Sequence, residues 1–136
     1  MKQLTAQQIT DAIREMCIEA NCVLPQDVRR QIEHCRACEE WPIAQEILDL
    51  MKENYQIAHR ENVPICQDTG VACVFLEIGQ EVHIQGDLTQ AVDEGVRQGY
   101  RDGYLRKSLV GDPIRRVNTG DNSPPCFTAT SCQATS

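Results

Sequence analysis

Three glycines at intervals of four, Gly95, Gly99 and Gly103, constrain the fold more than any other feature of this chain. They fall within a segment whose other residues read as helix: Asp87, with Gln90 three residues on, suits an N-cap, and Leu88, Ala91, Val92 and Val96 make an apolar face. Glycine is costly inside a helix, so three of them on one side predict that another backbone packs very close to that side.

The first sixty residues carry the same helical period. Thr5 and Gln8 form a capping-box pattern ahead of an apolar stripe of Ile9, Ile13, Met16, Cys17 and Ala20, and this helix ends at Asn21 and Cys22. Pro25 suits the first turn of a second helix, with Val28, Ile32 and Cys35 inward. Pro42 opens a third that runs to about His59, with Ile43, Ile47, Leu50, Met51 and Ile57 inward. The period then changes. Residues 63–70 are punctuated by Pro64 and Gly70 and read as a loop, Val71 to Ile78 as a buried strand, and Gly79-Gln80 as a turn into a second strand at 81–85. After Tyr104 the chain becomes polar and irregular. The expected class is α+β (mixed α/β): N-terminal helices, a short strand pair, a helix and an irregular loop, forming a partial domain.

A length of 136 residues suits one domain, and with only 4% aromatic residues its core must rest on Ile, Leu, Val, Ala and Cys. The net charge of −7 disfavours a non-specific nucleic-acid binder, which needs basic surface against phosphate. It does not exclude a small anion, because a local arginine cluster can outweigh the global charge. No stretch is long and apolar enough to cross a bilayer, and the N-terminus lacks the apolar run of a signal peptide. The expectation is therefore a cytoplasmic protein with no membrane and no nucleic-acid partner. Eight cysteines in a reducing compartment then point to metal ligation, an iron–sulfur cluster or burial rather than disulfides.

Three groups of residues could carry chemistry. Cys35 and Cys38 form a CxxC pair that, with Cys17 and Cys22, is compatible with a zinc-binding or interaction module; Cys17 also lies on the apolar stripe, where burial as a small hydrophobe accounts for it. Cys66 lies in a loop after a proline and before a strand, beside Gln67, Asp68 and Thr69, a setting that gives a thiolate access and polar neighbours; a plain Asp-Thr-Gly turn explains the same residues. Arg106, Lys107, Arg115 and Arg116 precede Asn118-Thr119-Gly120-Asp121-Asn122, and arginine clamps carboxylates in a bidentate fashion, although a solvated basic stretch and a turn would look alike.

Taken together, Pro64-Ile65-Cys66-Gln67-Asp68-Thr69-Gly70, the Gly-Tyr-Leu-Arg-Lys-Ser segment at 103–108, Asp112-Pro113, and Asn118 to Pro124 resemble, in order and spacing, the N-terminal part of class I fumarate hydratases and of the α subunit of L-tartrate dehydratase. The resemblance covers about residues 3–125. It implies a hydro-lyase that adds or removes water on a C4 dicarboxylate (fumarate/malate or L-tartrate/oxaloacetate) with a [4Fe–4S] cluster held by three cysteines, one iron being left open to substrate. Carried over residue by residue, Cys66 would be a cluster ligand, Gln67 would touch substrate, and Asp68 would be the catalytic acid that protonates the departing hydroxyl. Arg106 would clamp a carboxylate, and Asn118, Thr119 and Asp121 would shape the substrate pocket. The family also implies a β subunit or C-terminal domain and an oligomeric assembly.

The family pattern continues after Pro124 into a strand, a Val-Pro-Gly-Asp turn and the other two cluster cysteines. Here residues 126–136 depart from it. Shifting the reading frame by one base near codon 125, with an allowed choice of codons, restores Val-Phe-His-Arg-His-Leu-Val-Pro-Gly-Asp. The expected organisation is thus a family segment at 1–125 and an off-family tail at 126–136 produced by a frameshift or truncation, with Cys126 and Cys132 accidental. A chain with one cluster cysteine and no strand covering Val71–Ile78 is expected to be poorly stable, to expose apolar surface and to be inactive alone.

Overall fold

The computed structural model describes residues 2–132. Strand β1 (Lys2–Thr5) leads into α1 (Ala6–Cys22), followed by α2 (Gln26–Cys38), α3 (Pro42–Glu61), β2 (Cys73–Gly79), β3 (Val82–Gln85), α4 (Leu88–Asp102) and β4 (Cys126–Cys132). The class is α+β, as expected. Thr5 caps α1 through a complete capping box with Gln8, and the Asp87 carboxylate accepts from the Gln90 amide at the start of α4.

The glycine face of α4 meets α1. A Cβ at Gly95 would stand 2.8 Å from the Ile13 Cβ and 2.8 Å from the Thr10 carbonyl oxygen; at Gly99 it would stand 2.7 Å from the Cys17 Cβ. Both approaches lie below any tolerable carbon contact, so glycine alone permits this helix spacing. The Thr10 hydroxyl uses the proximity, donating to the Ala91 carbonyl at 3.0 Å in the buried seam. Ile13, Cys17, Val92, Val96, Tyr100 and Leu105 form the core, and Val74, Leu76 and Phe127 press one face of β2 and β4 onto it. Burial pushes the Cys17 thiol up to about 11, as fits a core residue.

Several expectations change, among them the buried strand at 71–78: it is covered on one face only, with Val71 and Phe75 exposed. The two central strands exist, but each pairs with a different partner: β2 with β4 and β3 with β1, both parallel. A two-residue turn at 80–81 invites a hairpin reading, yet parallel pairing needs long connections, and α1 and α4 supply the nearby crossover mass. β4 then gives β2 a neighbour along its whole length, from Cys73↔Cys126 to Gly79↔Cys132, where no covering strand was expected. Finally, the stripes assigned inward on α2 and α3 are largely open. Val28 and Cys35 are exposed, α2 buries no residue, and Ile43, Ile47, Leu50 and Met51 are all exposed, while Tyr55 and Ala58 are the buried residues of α3. Periodicity reports that a stripe exists; it does not report what covers it.

Candidate functional site

The loop between α3 and β2 is fixed at both ends and free in the middle. At its start, the Ile65 amide donates to the Asn21 carbonyl at the end of α1 (2.9 Å), and the Ile65 carbonyl accepts from the Asn54 amide group on α3 (2.9 Å). At its end, the Tyr100 hydroxyl on α4 lies 3.1 Å from the Thr69 carbonyl and 3.2 Å from the Gly70 carbonyl. Between these anchors Cys66, Gln67 and Asp68 form an exposed arch. The Asp68 carboxylate accepts from the Gly70 amide at 3.0 Å, an Asx-type turn that holds the side chain close to its own backbone. Gly70 has φ +60, and so allows the chain to turn into β2.

The two downstream loops close on this arch. The Thr69 hydroxyl donates to the Arg106 carbonyl at 3.0 Å, which brings the Arg106 segment beside Asp68. Asn122 is wholly buried and uses both ends of its side chain: Oδ1 accepts from the Ser108 and Leu109 amides (2.9 and 2.8 Å), and Nδ2 donates to the Gly70 carbonyl (3.1 Å). One amide thus joins all three loops. The sequence reading placed Asn122 in the motif without a role of its own and assigned none to Tyr100; an asparagine in an Asn-rich turn was the available signal, and here it adopts φ +61.

Not every residue named from sequence faces the arch. Asn118 is spent locally, donating to the Lys107 carbonyl (2.9 Å) and accepting from the Gly120 amide (2.7 Å), and the Thr119 hydroxyl accepts from the Asn122 amide (3.2 Å). Asp121 turns to α4. Its carboxylate accepts from the Ser123 amide at 3.0 Å and from the Arg97 guanidinium at 3.0 Å, and these bonds hold its pKa down at about 2. Arg106, by contrast, has an exposed side chain with no ion-pair partner among the described residues.

The exposed Cys66 thiol is a sound donor for one corner of an iron–sulfur cluster. Among the described residues, however, no group of three or more His, Cys, Asp or Glu side chains is placed to hold a metal ion. A three-thiolate cluster is therefore not held by this set alone. Among the described residues the four cysteines of the zinc reading are not brought together: Cys17 and Cys22 are buried, whereas Cys35 and Cys38 are exposed on α2, with His34 3.9 Å from the Cys38 sulfur. No helix among the described residues is long and apolar enough to cross a membrane.

Comparison with known proteins extends over this same region. The profile of the family described as Fumarate hydratase (Fumerase) matches residues 10–134. A Methanocaldococcus jannaschii protein named "Putative L(+)-tartrate dehydratase subunit alpha" is 34% identical over 86% of this chain and 43% of its own length. A Geobacillus stearothermophilus protein named "Putative fumarate hydratase class I" is 28% identical over 85% of this chain and 22% of its own. The L(+)-tartrate dehydratase subunit alpha of Escherichia coli K12 is 26% identical over 90% and 40%. The chain thus spans less than half the length of these curated relatives.

Proposed function

This chain belongs to the fumarate hydratase family, and from that premise we propose that it carries one cluster ligand and one wall of the substrate pocket of an iron–sulfur hydro-lyase acting on a C4 dicarboxylate. Cys66 supplies one thiolate of a [4Fe–4S] cluster, and two further cysteines come from outside this chain. When bound, such a cluster offers an open iron as a Lewis acid toward the substrate hydroxyl.

The remaining chemistry falls to this chain's own side chains. Asp68 sits two residues from the ligand and is the acid that protonates the departing hydroxyl, or in the reverse direction the base that deprotonates water. Gln67, exposed beside it, hydrogen-bonds the substrate. Arg106 binds a carboxylate: its exposed guanidinium makes no ion pair among the described residues, which keeps its donors available for a bidentate clamp. Thr119, Asn118 and Asp121 shape the pocket by fixing the third loop. Relatives named as α subunits support a partner β subunit, and those named for tartrate and for fumarate support the two candidate substrate pairs.

The observation that supports this reading is the tie from the Thr69 hydroxyl to the Arg106 carbonyl, which joins the backbone of the Arg106 segment to the loop that carries Asp68, 37 residues away in sequence. The test is to join this chain to the C-terminal part of a relative's α subunit, add the matching β subunit, reconstitute with iron and sulfide without oxygen, and assay fumarate and L-tartrate. Dehydration or hydration of either substrate is expected, with loss of at least about a hundredfold in Asp68→Asn. Activity undiminished in Asp68→Asn would remove the assigned acid.

A further inference from the structure

Strand alternation puts two cysteines side by side on the outer surface. Val74 and Phe127 are register partners and both face the core, so Cys73 and Cys126, one residue earlier on each strand, are register partners on the opposite face. Both thiols are exposed. Neighbouring strands lie about 5 Å apart, so register partners fall inside the Cα range that a disulfide spans. The pair also lies at the start of the β2–β4 register, where the Cys126 amide donates to the Ala72 carbonyl at 3.0 Å.

We propose that Cys73 and Cys126 are a thiol–disulfide pair, closed by exchange with a low-molecular-weight disulfide of the glutathione type. The thiolate of one cysteine attacks the small disulfide, forming a mixed disulfide and releasing one small thiol. The second thiolate then attacks the protein sulfur of that mixed disulfide and releases the other small thiol. Two protein thiols are oxidised, the small disulfide is reduced to two thiols, and the two protons pass to those products. The position gives the bond a consequence. Cys73 follows Gly70 by three residues and Cys126 follows Asn122 by four, and Asn122 already donates to the Gly70 carbonyl. Closing the bond staples the Cys66 loop to the 118–122 loop beside the Asn122–Gly70 hydrogen bond that joins them directly.

The remaining exposed thiols, Cys35, Cys38, Cys66 and Cys132, serve as internal competitors, and the buried Cys17 and Cys22 report folding. The full chain is equilibrated with oxidised and reduced glutathione, quenched by alkylation and mapped by peptide mass. The expected result is that Cys73–Cys126 is the most abundant crosslink in buffer, falls to its statistical share in concentrated guanidinium, and gives way in Cys126→Ser to a Cys73–glutathione adduct. Recovery of Cys73 mainly free or glutathionylated in the unmutated chain, or a Cys73–Cys126 yield no greater in buffer than in guanidinium, overturns the proposal.

Discussion

The α1–α4 seam and the α2–α3 arm are both built from amphipathic helices, yet only the first is closed. In the seam, the absence of side chains at Gly95 and Gly99 lets α1 approach until Ile13 is 2% exposed and Val92 and Val96 are fully covered. In the arm, Ile43, Ile47 and Leu50 lie on a helix of similar amphipathicity and stay more than half exposed. The difference teaches that burial here comes from shape complementarity between two surfaces, not from an apolar stripe on one of them. It also divides labour: the seam's far end supplies Tyr100, which braces the Cys66 loop, while α3 contributes Asn54 to the same loop from an otherwise open helix.

The most direct attempt to break this contrast makes the same substitution in both regions. Ile13→Ala should cost about 4 kcal/mol in urea unfolding and Ile47→Ala less than about 0.5 kcal/mol, because only the first opens a cavity. Equal costs would mean that the arm is packed. Gly99→Val tests the close approach itself and should cost about 3 kcal/mol, since its side chain must displace Cys17. Asn122→Ala should cost about 2 kcal/mol, by leaving the Ser108 and Leu109 amides and the Gly70 carbonyl short of partners; hydrogen exchange should quicken at Ser108 and Leu109 while the seam's amides stay slow.

The smallest effect is electrostatic. Asp121 is depressed from the ordinary 3.8 to about 2, so its contribution is complete above the unfolded value and is lost as the pH falls through the folded one. Asp121→Asn should therefore cost about 1 kcal/mol or less near neutrality, and its unfolding curve should converge with that of the parent as the pH drops from 3.8 toward about 2.

What was legible in the sequence follows the range of the interaction. The α1 capping box, the Asp87 cap and the glycine face of α4 depend on residues three or four apart, and all appear where spacing placed them. Strand pairing was not legible, because β2 finds its partner 53 residues away, and the local turn at 80–81 gave no hint of it. The short β1 had no pattern to announce it. At the candidate site, Cys66, Asp68 and Arg106 are proposed from residue type and motif, and the Thr69–Arg106 bond joins the segments that carry Asp68 and Arg106. The arrangement of Asn122 and the turn of Asp121 toward Arg97 could not be, since a satisfied buried amide and an ion pair across 24 residues leave no periodic trace.

The central claim is that the Cys66 sulfur is an iron ligand. Its most direct test is the visible and Mössbauer signal of a cubane cluster in the anaerobically reconstituted fusion described above, compared among the parent, Cys66→Ser and Cys35→Ser proteins. The account predicts that Cys35→Ser keeps the full signal and Cys66→Ser loses it. A cluster that persists with unchanged iron content in Cys66→Ser would contradict the account.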